Sequence, residues 1–389
     1  MKFLKNKITG ITIVLIVILV ALSPWIIWHF KPDRHLDVLV FDKTVPQNNY
    51  REHKGFIWLL NSFKYTKLNG DKYGLLDYFG FFPEPNYKYK IKPLPKDLSK
   101  YDLLYVTDTY GVYDRDFYGT SKNIEGERSQ KIYGGTQSSE ISSIKSALEN
   151  SNKSKTLIVE FNSLASPTDT KVQKEMDQLL GLKWSGWIGR EFKTLNKNNE
   201  EIPRWVFRNY RKQYGKEWNF TGSGYVFVKN DDTLMILEKR KDTTKDMTFK
   251  FSPKGQEDFG IKREVGYYYW FDIMEKVNNT ESIADYTFFL TESGKDKFKK
   301  FGIPTSFPAI TESKIKNHIT YYFSGDYADK GEFPVVYQAV GLPKINSLLI
   351  SDYGNTDSFF WKIYAPVMQK ILDNTYEKKS SETKTASIN

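Results

Sequence analysis

Residues 36–42 read LDVLVFD, a short apolar run with two valines that ends in a carboxylate. A continuous apolar run of this length is typical of a strand buried on both faces of a parallel sheet. Two later runs, LLYV at 103–106 and TLIVEF at 156–161, have the same character. Apolar residues at helical spacing accompany these runs at 53–67, 140–150 and 171–182. This alternation predicts an α/β fold with a doubly wound, mainly parallel sheet covered by helices on both faces.

The pattern changes after Trp184. The runs at 225–228 and 234–237 flank an Asn-Asp-Asp turn and predict an added β-hairpin. We expect further strands after residue 241 and a closing helix at 359–372. The predicted organisation is one domain over 36–375, with a core at 36–240, an elaboration at 241–375 and a polar tail at 376–389.

Part of this pattern resembles a known family. The stretch 101–168 contains YDLLYV at 101–106, Gly134-Gly135, a helix from Glu140 and LIVEFNS at 157–163. In this order the elements resemble class I glutamine amidotransferase-like domains of the flavodoxin-like superfamily. The resemblance implies a flavodoxin-like fold with a nucleophile elbow after the last strand.

The family places its catalytic cysteine at that elbow. This chain offers Phe161, Asn162 or Ser163 there, and it contains no cysteine at all. Glutamine hydrolysis by the family's mechanism is therefore excluded, because the attacking thiolate is absent. A serine nucleophile would need a positioned base, and the sequence marks none.

Composition excludes several other classes of site. Without cysteine the chain has no disulfides, zinc–thiolate sites or iron–sulfur clusters. The four histidines are scattered along the chain, at His29, His35, His53 and His318. No phosphate-binding loop, HExxH motif or dinucleotide-binding glycine motif is present. We therefore predict neither a metal nor a cofactor.

The N-terminal region predicts a membrane anchor. Lys2, Lys5 and Lys7 precede an uncharged apolar run at 8–30, which is long enough to cross a hydrocarbon core of about 30 Å as a helix. A cleaved signal peptide is the alternative, with 21–23 as a small-residue cleavage site, but the apolar run is long and Pro24 would follow the cut. The leading lysines predict a single-pass protein with residues 1–7 in the cytoplasm and the main domain extracytoplasmic.

Lysine and arginine outnumber aspartate and glutamate by 57 to 47. In an extracytoplasmic domain this excess indicates anionic wall polymers or lipid headgroups as partners, and nucleic acid is not expected. A lysine-rich solvated surface without a specific partner is the alternative.

Polar side chains follow the predicted parallel strands. In a doubly wound sheet, ligands bind beyond the carboxyl ends of the strands, where Asp42, Asp108 and Glu160 are expected, with Asn162 just after them. We predict Asp108 and Glu160 as a catalytic acid pair, and Asp42 and Asn162 as ligand-binding residues. The alternative is that each side chain caps a helix or binds loop amides.

Two more residues are predicted to bind ligand. Arg190, in the aromatic segment WIGR at 187–190, is expected to neutralise an acid or bind an anionic group, or else to stack on a neighbouring tryptophan. Asp326, in SGDY at 324–327, extends the acidic group or occupies a turn. The DRD triplet at 114–116 matches a metal–nucleotide-sugar motif, but a solvated turn explains it better.

The chain contains 26 Tyr, 27 Phe and nine Trp, and exposed rings of this kind stack on sugar faces. The first hypothesis is a membrane-anchored extracytoplasmic module without glutaminase chemistry. It would assist cell-envelope or exopolysaccharide assembly by binding glycan or a partner protein, such as another membrane protein. The alternative is a glycan-active hydrolase that uses the carboxylate pair at the strand ends.

Overall fold

The structure is a computed structural model that describes residues 2–119, 128–277, 280–329, 338–351 and 356–386. The helices in these ranges are α1 (Lys2–Phe30), α2 (Arg51–Ser62), α3 (Asp114–Tyr118), α4 (Ser138–Glu149), α5 (Thr170–Leu180), α6 (Arg204–Tyr214), α7 (Pro253–Phe259), α8 (Glu292–Phe301), α9 (Leu342–Leu349), α10 (Thr356–Phe359), a π-helical turn (Phe360–Tyr364) and α11 (Ala365–Ala386). The strands are β1 (Arg34–His35), β2 (Val38–Asp42), β3 (Tyr65–Thr66), β4 (Phe79–Glu84), β5 (Lys88–Lys92), β6 (Leu103–Asp108), β7 (Val112–Tyr113), β8 (Lys131–Tyr133), β9 (Thr156–Glu160), β10 (Leu182–Phe192), β11 (Gly224–Lys229), β12 (Leu234–Glu238), β13 (Thr243–Phe251), β14 (Glu264–Gly266), β15 (Trp270–Lys276), β16 (Glu281–Leu290), β17 (Ser306–Ile315) and β18 (His318–Phe323).

The main sheet has ten strands in the order β14-β13-β16-β17-β18-β9-β6-β2-β4-β5. The five neighbours β18, β9, β6, β2 and β4 pair in parallel. The other five strands pair antiparallel.

The prediction of a doubly wound, mainly parallel sheet was therefore wrong. One physical reason is visible between β17 and β18, where only residues 316 and 317 connect the strands. A parallel pair needs a crossover of a dozen or more residues, so a connection this short forces an antiparallel pair. Lys316 adopts a φ of 56°, the left-handed conformation of a tight turn.

The parallel strands are covered on both faces. Along β6, Leu103 and Tyr105 point to the face that packs on α2 and α11, while Leu104 and Val106 point to the face that packs on α4 and α5. Alternate residues of a strand face opposite sides, so an entirely apolar run satisfies both layers. The strands predicted near the start of the chain are apolar throughout because each of their faces contacts a layer of helices.

A second sheet of four antiparallel strands has the order β12-β11-β10-β15. It packs on the antiparallel half of the main sheet through a cluster of aromatic rings. Within this sheet the ring of Phe271 on β15 lies over Gly189 on β10, where a Cβ would come 2.3 Å from the ring. The predicted hairpin is present as β11 and β12.

Helix α1 is apolar and long enough over residues 11–30 to cross a membrane, and a signal sequence has the same features. Most of its described side chains are exposed. Its last turn contacts the domain, where Trp28 is buried and its Nε1 donates to the carbonyl oxygen of Ser62 over 2.8 Å. The helix therefore leaves the domain at the end of α2.

Candidate functional site

The carboxyl ends of the parallel strands bring four predicted site residues together. Strands β2, β6 and β9 end at Asp42, Asp108 and Glu160, and Asp42 lies opposite Asp108 in the register. Asn162 follows β9 in the left-handed conformation, with a φ of 65°. Its side-chain amide donates to Asp108 Oδ2 over 3.3 Å. Parallel strands share one carboxyl edge, which is why residues far apart in sequence meet here.

Asp42 is fully buried against the start of α2. Its Oδ1 accepts the Thr44 N–H over 2.8 Å, and its Oδ2 lies 2.6 Å from His53 Nδ1. The other ring nitrogen of His53 lies 3.0 Å from the carbonyl oxygen of Leu75. Both ring nitrogens of His53 therefore face oxygen atoms of the protein. Asp42 thus joins β2 to α2 and to the loop at Leu75.

Asp108 is bound by the loops around it. Its Oδ1 accepts the Thr44 hydroxyl over 2.7 Å and the Tyr110 N–H over 2.6 Å. Burial raises the pKa of Asp108 to about 7, although these donors and Asn162 act in the opposite direction. The side chain is protonated for part of the time near neutral pH.

Glu160 holds the loop that follows β18. Its Oε1 accepts the N–H groups of Tyr327 and Ala328 over 2.6 and 2.8 Å, and its Oε2 accepts the Tyr105 hydroxyl. Burial raises the pKa of Glu160 to about 8 against the effect of these three donors. The residue is 2% exposed, so its direct contacts are with the protein.

The same loop carries Asp326 and Asp329, which meet Glu52 from the first turn of α2, and we call these three acids the acid cluster. One carboxylate oxygen from each lies within 4.8 Å of the others. Glu52 is buried, whereas both aspartates are partly exposed. Burial, and then the charge of Asp329, raise the pKa values of Glu52 and Asp326 well above their usual range. Asp108 and Glu160 add to the effect on Asp326, which places the strand-end acids beside the cluster.

Arg51 and Tyr269 hold the third acid. Arg51 Nε lies 2.9 Å from Glu52 Oε1 and 3.6 Å from Asp329 Oδ1, and the Tyr269 hydroxyl donates to Asp329 Oδ2 over 2.8 Å. Three carboxylates are a donor set that a divalent cation could use. Arg51 forms ion pairs with two of them, Glu52 and Asp329, and so places one positive charge of the protein beside the three acids.

Aromatic residues lie near these acids. The Asp326 N–H donates to the Trp270 carbonyl oxygen over 3.3 Å, and the Tyr269 hydroxyl donates to Asp329. Tyr110, whose N–H donates to Asp108, stacks on Tyr113 with ring centroids 4.7 Å apart. Tyr110, Tyr269 and Trp270 all keep part of their surface in solvent.

Arg190 reaches this aromatic region but binds none of the strand-end acids. Its guanidinium lies 5.1 Å from the ring centroids of both Tyr269 and Trp270. Its Nη2 donates to Glu201 over 2.6 Å. The DRD triplet forms the start of α3, where Asp114 accepts the N–H groups of Arg115 and Gln130 over 2.7 and 2.9 Å.

Sequence reasoning did not identify Glu52, Asp329, Arg51 or the Lys43–Glu140 pair as parts of this edge. Glu52 lies in the first turn of a helix, where an acid is common for local reasons.

Lys43 Nζ donates to Glu140 Oε2 and to the Gly135 carbonyl oxygen, each over 2.8 Å. Burial lowers the pKa of Lys43. The sequence feature that could have indicated Lys43 as part of this edge was its position, directly after Asp42 at the end of β2.

A groove of about 480 Å³ lies at the opposite edge of the sheet, lined by residues 96–100 and 143–153, which precede β6 and β9. A second groove of about 540 Å³ lies beside β13 and β14. Neither groove includes a residue of the acid cluster, so in the described parts of the chain the cluster lies on a more open surface.

No protein-family model matches this chain, and no curated protein matches it. Solved structures do match. β-Galactosidase from Bacillus circulans sp. alkalophilus has 10% identity and a TM-score of 0.35, over 76% of this chain and 30% of its own. The carbohydrate deacetylase Agd3 has 11% identity and a TM-score of 0.31, over 75% of this chain and 30% of its own. Gan42B, a GH42 β-galactosidase from G. stearothermophilus, has 10% identity and a TM-score of 0.31, over 87% and 30%.

The chain therefore spans about a third of the length of these proteins. The expected resemblance to class I glutamine amidotransferase-like, flavodoxin-like domains was wrong. The main sheet is mixed, and half of its strands pair antiparallel, whereas the expected fold has a mainly parallel sheet.

Proposed function

We propose that this chain is a membrane-anchored, extracytoplasmic hydrolase of glycans that acts at the carboxyl edge of its parallel strands. The observation that supports this function best is the acid cluster, in which a partly exposed Asp326 with a raised pKa lies beside Asp329. Glycoside hydrolysis needs one carboxyl that keeps its proton and a second that is ionised. Burial and then the charges of the neighbouring acids raise the pKa of Asp326, which favours its protonated form.

In this proposal Asp326 donates the proton to the leaving glycosidic oxygen. Asp329 acts as the second carboxylate, oriented by the Tyr269 hydroxyl and by Arg51. One oxygen from each carboxyl lies within 4.8 Å of the other, which leaves no room for the water that inverting glycosidases hold between carboxyls about 6.5–9.5 Å apart. Retention of anomeric configuration is the expected stereochemical outcome.

Sugar substrates are favoured by the aromatic rings around the acids. Tyr269 binds Asp329, Trp270 follows it in the chain, Tyr110 binds Asp108 through its N–H, and each ring is partly exposed. Flat aromatic rings stack on the apolar faces of sugars, and tyrosine hydroxyls bind sugar hydroxyls. Arg190, stacked beside Trp270, adds a positive charge that suits an acidic glycan.

Asp108 and Glu160, the acid pair predicted from sequence, act in this proposal as positioning residues. Glu160 binds the backbone of Tyr327 and Ala328, next to Asp326. Asp108 binds the backbone of Tyr110. Both carboxyls also raise the pKa of Asp326 through their charge. Glu160 is neutral below its pKa of about 8, so Glu160→Gln should leave the pH–rate profile unchanged below that pH. Above it the variant lacks the charge that raises the pKa of Asp326, and the alkaline limb should move to lower pH, which a purely structural residue would not do.

The test measures release of reducing ends from wall and exopolysaccharide fractions by the full-length chain in nanodiscs. Asp326→Asn should reduce the rate by about 10²–10⁴, the usual contribution of a general acid. Asp296→Asn, at an exposed position on α8, is the matched control and should keep the wild-type rate. Full activity in the Asp326→Asn variant would exclude the proposed role.

A second candidate is binding of glycan, or of a partner protein, without hydrolysis. It is favoured by the saturation of Asp108 and Glu160 with donors from the protein. In that case the same fractions would bind to the nanodiscs without release of reducing ends. Binding would fall in Trp270→Ala, which removes a stacking ring, and would persist in Asp326→Asn.

A further inference from the structure

Helix α9 has its apolar side chains on the outside of the domain. Ile345, Leu348 and Leu349 are 45%, 71% and 78% exposed. They occupy positions i, i+3 and i+4, which form one face of a helix. The polar residues Asn346 and Ser347 are less exposed than this face. This is the reverse of the pattern expected for a helix that packs on a soluble domain.

The start of α9 lies against the apolar part of α1. The Val340 N–H donates to the Pro24 carbonyl oxygen over 3.1 Å. Pro24 lies six residues before the end of α1 at Phe30, which corresponds to about 9 Å along a helix axis. The chain entering α9 is therefore level with the apolar part of α1 rather than with its polar end.

Two lysines lie beside α1 at Trp28, which is about one helical turn closer to the domain than Pro24. The amino groups of Lys64 and Lys72 lie 4.3 and 5.6 Å from the ring centroid of Trp28. Tryptophan and lysine together are typical of the level of the lipid headgroups. If Trp28 lies at that level, the neighbours of Pro24 lie below it, at the boundary with the acyl chains.

We propose that Val340 and the exposed face of α9 insert into the same leaflet as the end of α1, so that the domain contacts the bilayer at two points. A bilayer is the partner that matches this patch. The patch continues the apolar surface of α1, and it lies further from the domain than Lys64 and Lys72. The inference rests on the anchor in the proposed function and is independent of the hydrolase chemistry. The short helix lies in the plane of the interface.

Depth measurements test this proposal. The chain has no cysteine, so a single introduced cysteine can carry a spin label without any other change. Leu349→Cys reports on α9, Leu19→Cys on α1 and Lys212→Cys on the exposed surface of α6. The full chain is placed at one copy per nanodisc of phosphatidylethanolamine and phosphatidylglycerol. Collisions with a water-soluble nickel complex should be at least about fivefold less frequent at position 349 than at position 212.

The controls separate this inference from the proposed anchor. If the label at position 19 is protected and the label at 349 collides as often as the label at 212, the inference is overturned and the anchor remains. Exposure at position 19 overturns both. Protection at 349 that appears only with two copies per disc indicates a contact between copies and also overturns the inference. In a chain labelled through Ile345→Cys, the changes Leu348→Glu and Leu349→Glu should restore collisions.

Discussion

The two halves of the main sheet are stabilised in different ways. In the parallel half, the strands end in the buried acids Asp42, Asp108 and Glu160, each bound by donors from neighbouring loops. In the antiparallel half, the interior is a cluster of rings around Phe288. Hydrogen bonds to buried acids are directional and depend on protonation, whereas apolar burial depends on neither. The parallel half can therefore position loops for chemistry, while the antiparallel half provides stability that is independent of pH.

Tyr327 connects the two halves. Its N–H donates to Glu160 Oε1 in the parallel half, and its hydroxyl lies 2.7 Å from that of Tyr286 in the antiparallel half. Asp326 precedes it in the chain. The position of the proposed acid therefore depends on both the polar network and the aromatic cluster.

The largest expected effect is in the aromatic cluster. Phe288 is 3% exposed and contacts the rings of Tyr225, Phe227, Phe271, Phe298 and Phe307. Phe288→Ala should lower the free energy of unfolding by about 3–5 kcal/mol, measured by urea denaturation. Phe288→Leu, which leaves a smaller cavity, should cost less. The loss of unfolding free energy should be the same at pH 6 and pH 8. A strong pH dependence would contradict the distinction between a pH-dependent parallel half and a pH-independent antiparallel half.

The next effect is in the polar network. Glu160→Ala leaves the N–H groups of Tyr327 and Ala328 without their acceptor and should cost about 2–4 kcal/mol of unfolding free energy. Glu160→Gln keeps an oxygen for both N–H groups, and its amide can donate to the Tyr105 hydroxyl. We expect it to cost less than about 1 kcal/mol. Equal losses in the two variants would show that cavity formation, not hydrogen bonding, dominates at this position.

The third effect is a pH dependence of stability. Glu160 has a pKa of about 8 in the folded protein and a usual value of 4.5, so between these values the folded state holds a proton that the unfolded state has lost. Stability from this group is complete below pH 4.5 and declines as the pH rises to about 8. We expect a loss on the order of 2–3 kcal/mol between pH 5 and pH 8.

Denaturation of Glu160→Gln over the same pH range sharpens this measurement. Its decline should be shallower than that of the wild type, because only Asp108 and the other buried acids with raised pKa values remain. Identical slopes in the two proteins would assign the pH dependence to other groups.

The smallest effect concerns an exposed acid at the same edge. Asp169 caps α5 by accepting the Lys171 N–H over 2.8 Å. Asp169→Ala should cost about 1 kcal/mol, the usual value of such a cap. The cost should not change between pH 6 and pH 8. A larger loss, or one that follows pH, would mean that exposed and buried acids at this edge are coupled.

Much of the local structure could be predicted from the sequence. The strands at 38–42, 103–108 and 156–160 are confirmed close to the predicted positions. Helix α5 ends at Gly181, whose φ of 67° is the left-handed cap expected there. These features depend on residues within one or two turns of each other, which is the range that a sequence pattern records.

The strand directions after residue 241 could not be predicted in the same way. Strand β16 alternates buried and partly exposed residues over much of its length, whereas β17 contains six consecutive buried residues, as a parallel strand also does. Pairing direction depends on connections and on partners far away in the chain, and no local pattern distinguishes them. The same limit applies to Glu52, which reaches Asp326 only because α2 packs beside the carboxyl edge.

By itself, the sequence established the apolar strands, the carboxylates that follow them, the absence of thiol chemistry and an N-terminal helix of membrane-spanning length. The tertiary structure alone decided which strands pair antiparallel, which acids become buried, and which carboxyls meet in the acid cluster. It also placed α9 beside Pro24. The physical reason is that burial and charge coupling depend on distances in space, and residues 52, 160 and 326 become neighbours only after the chain has folded.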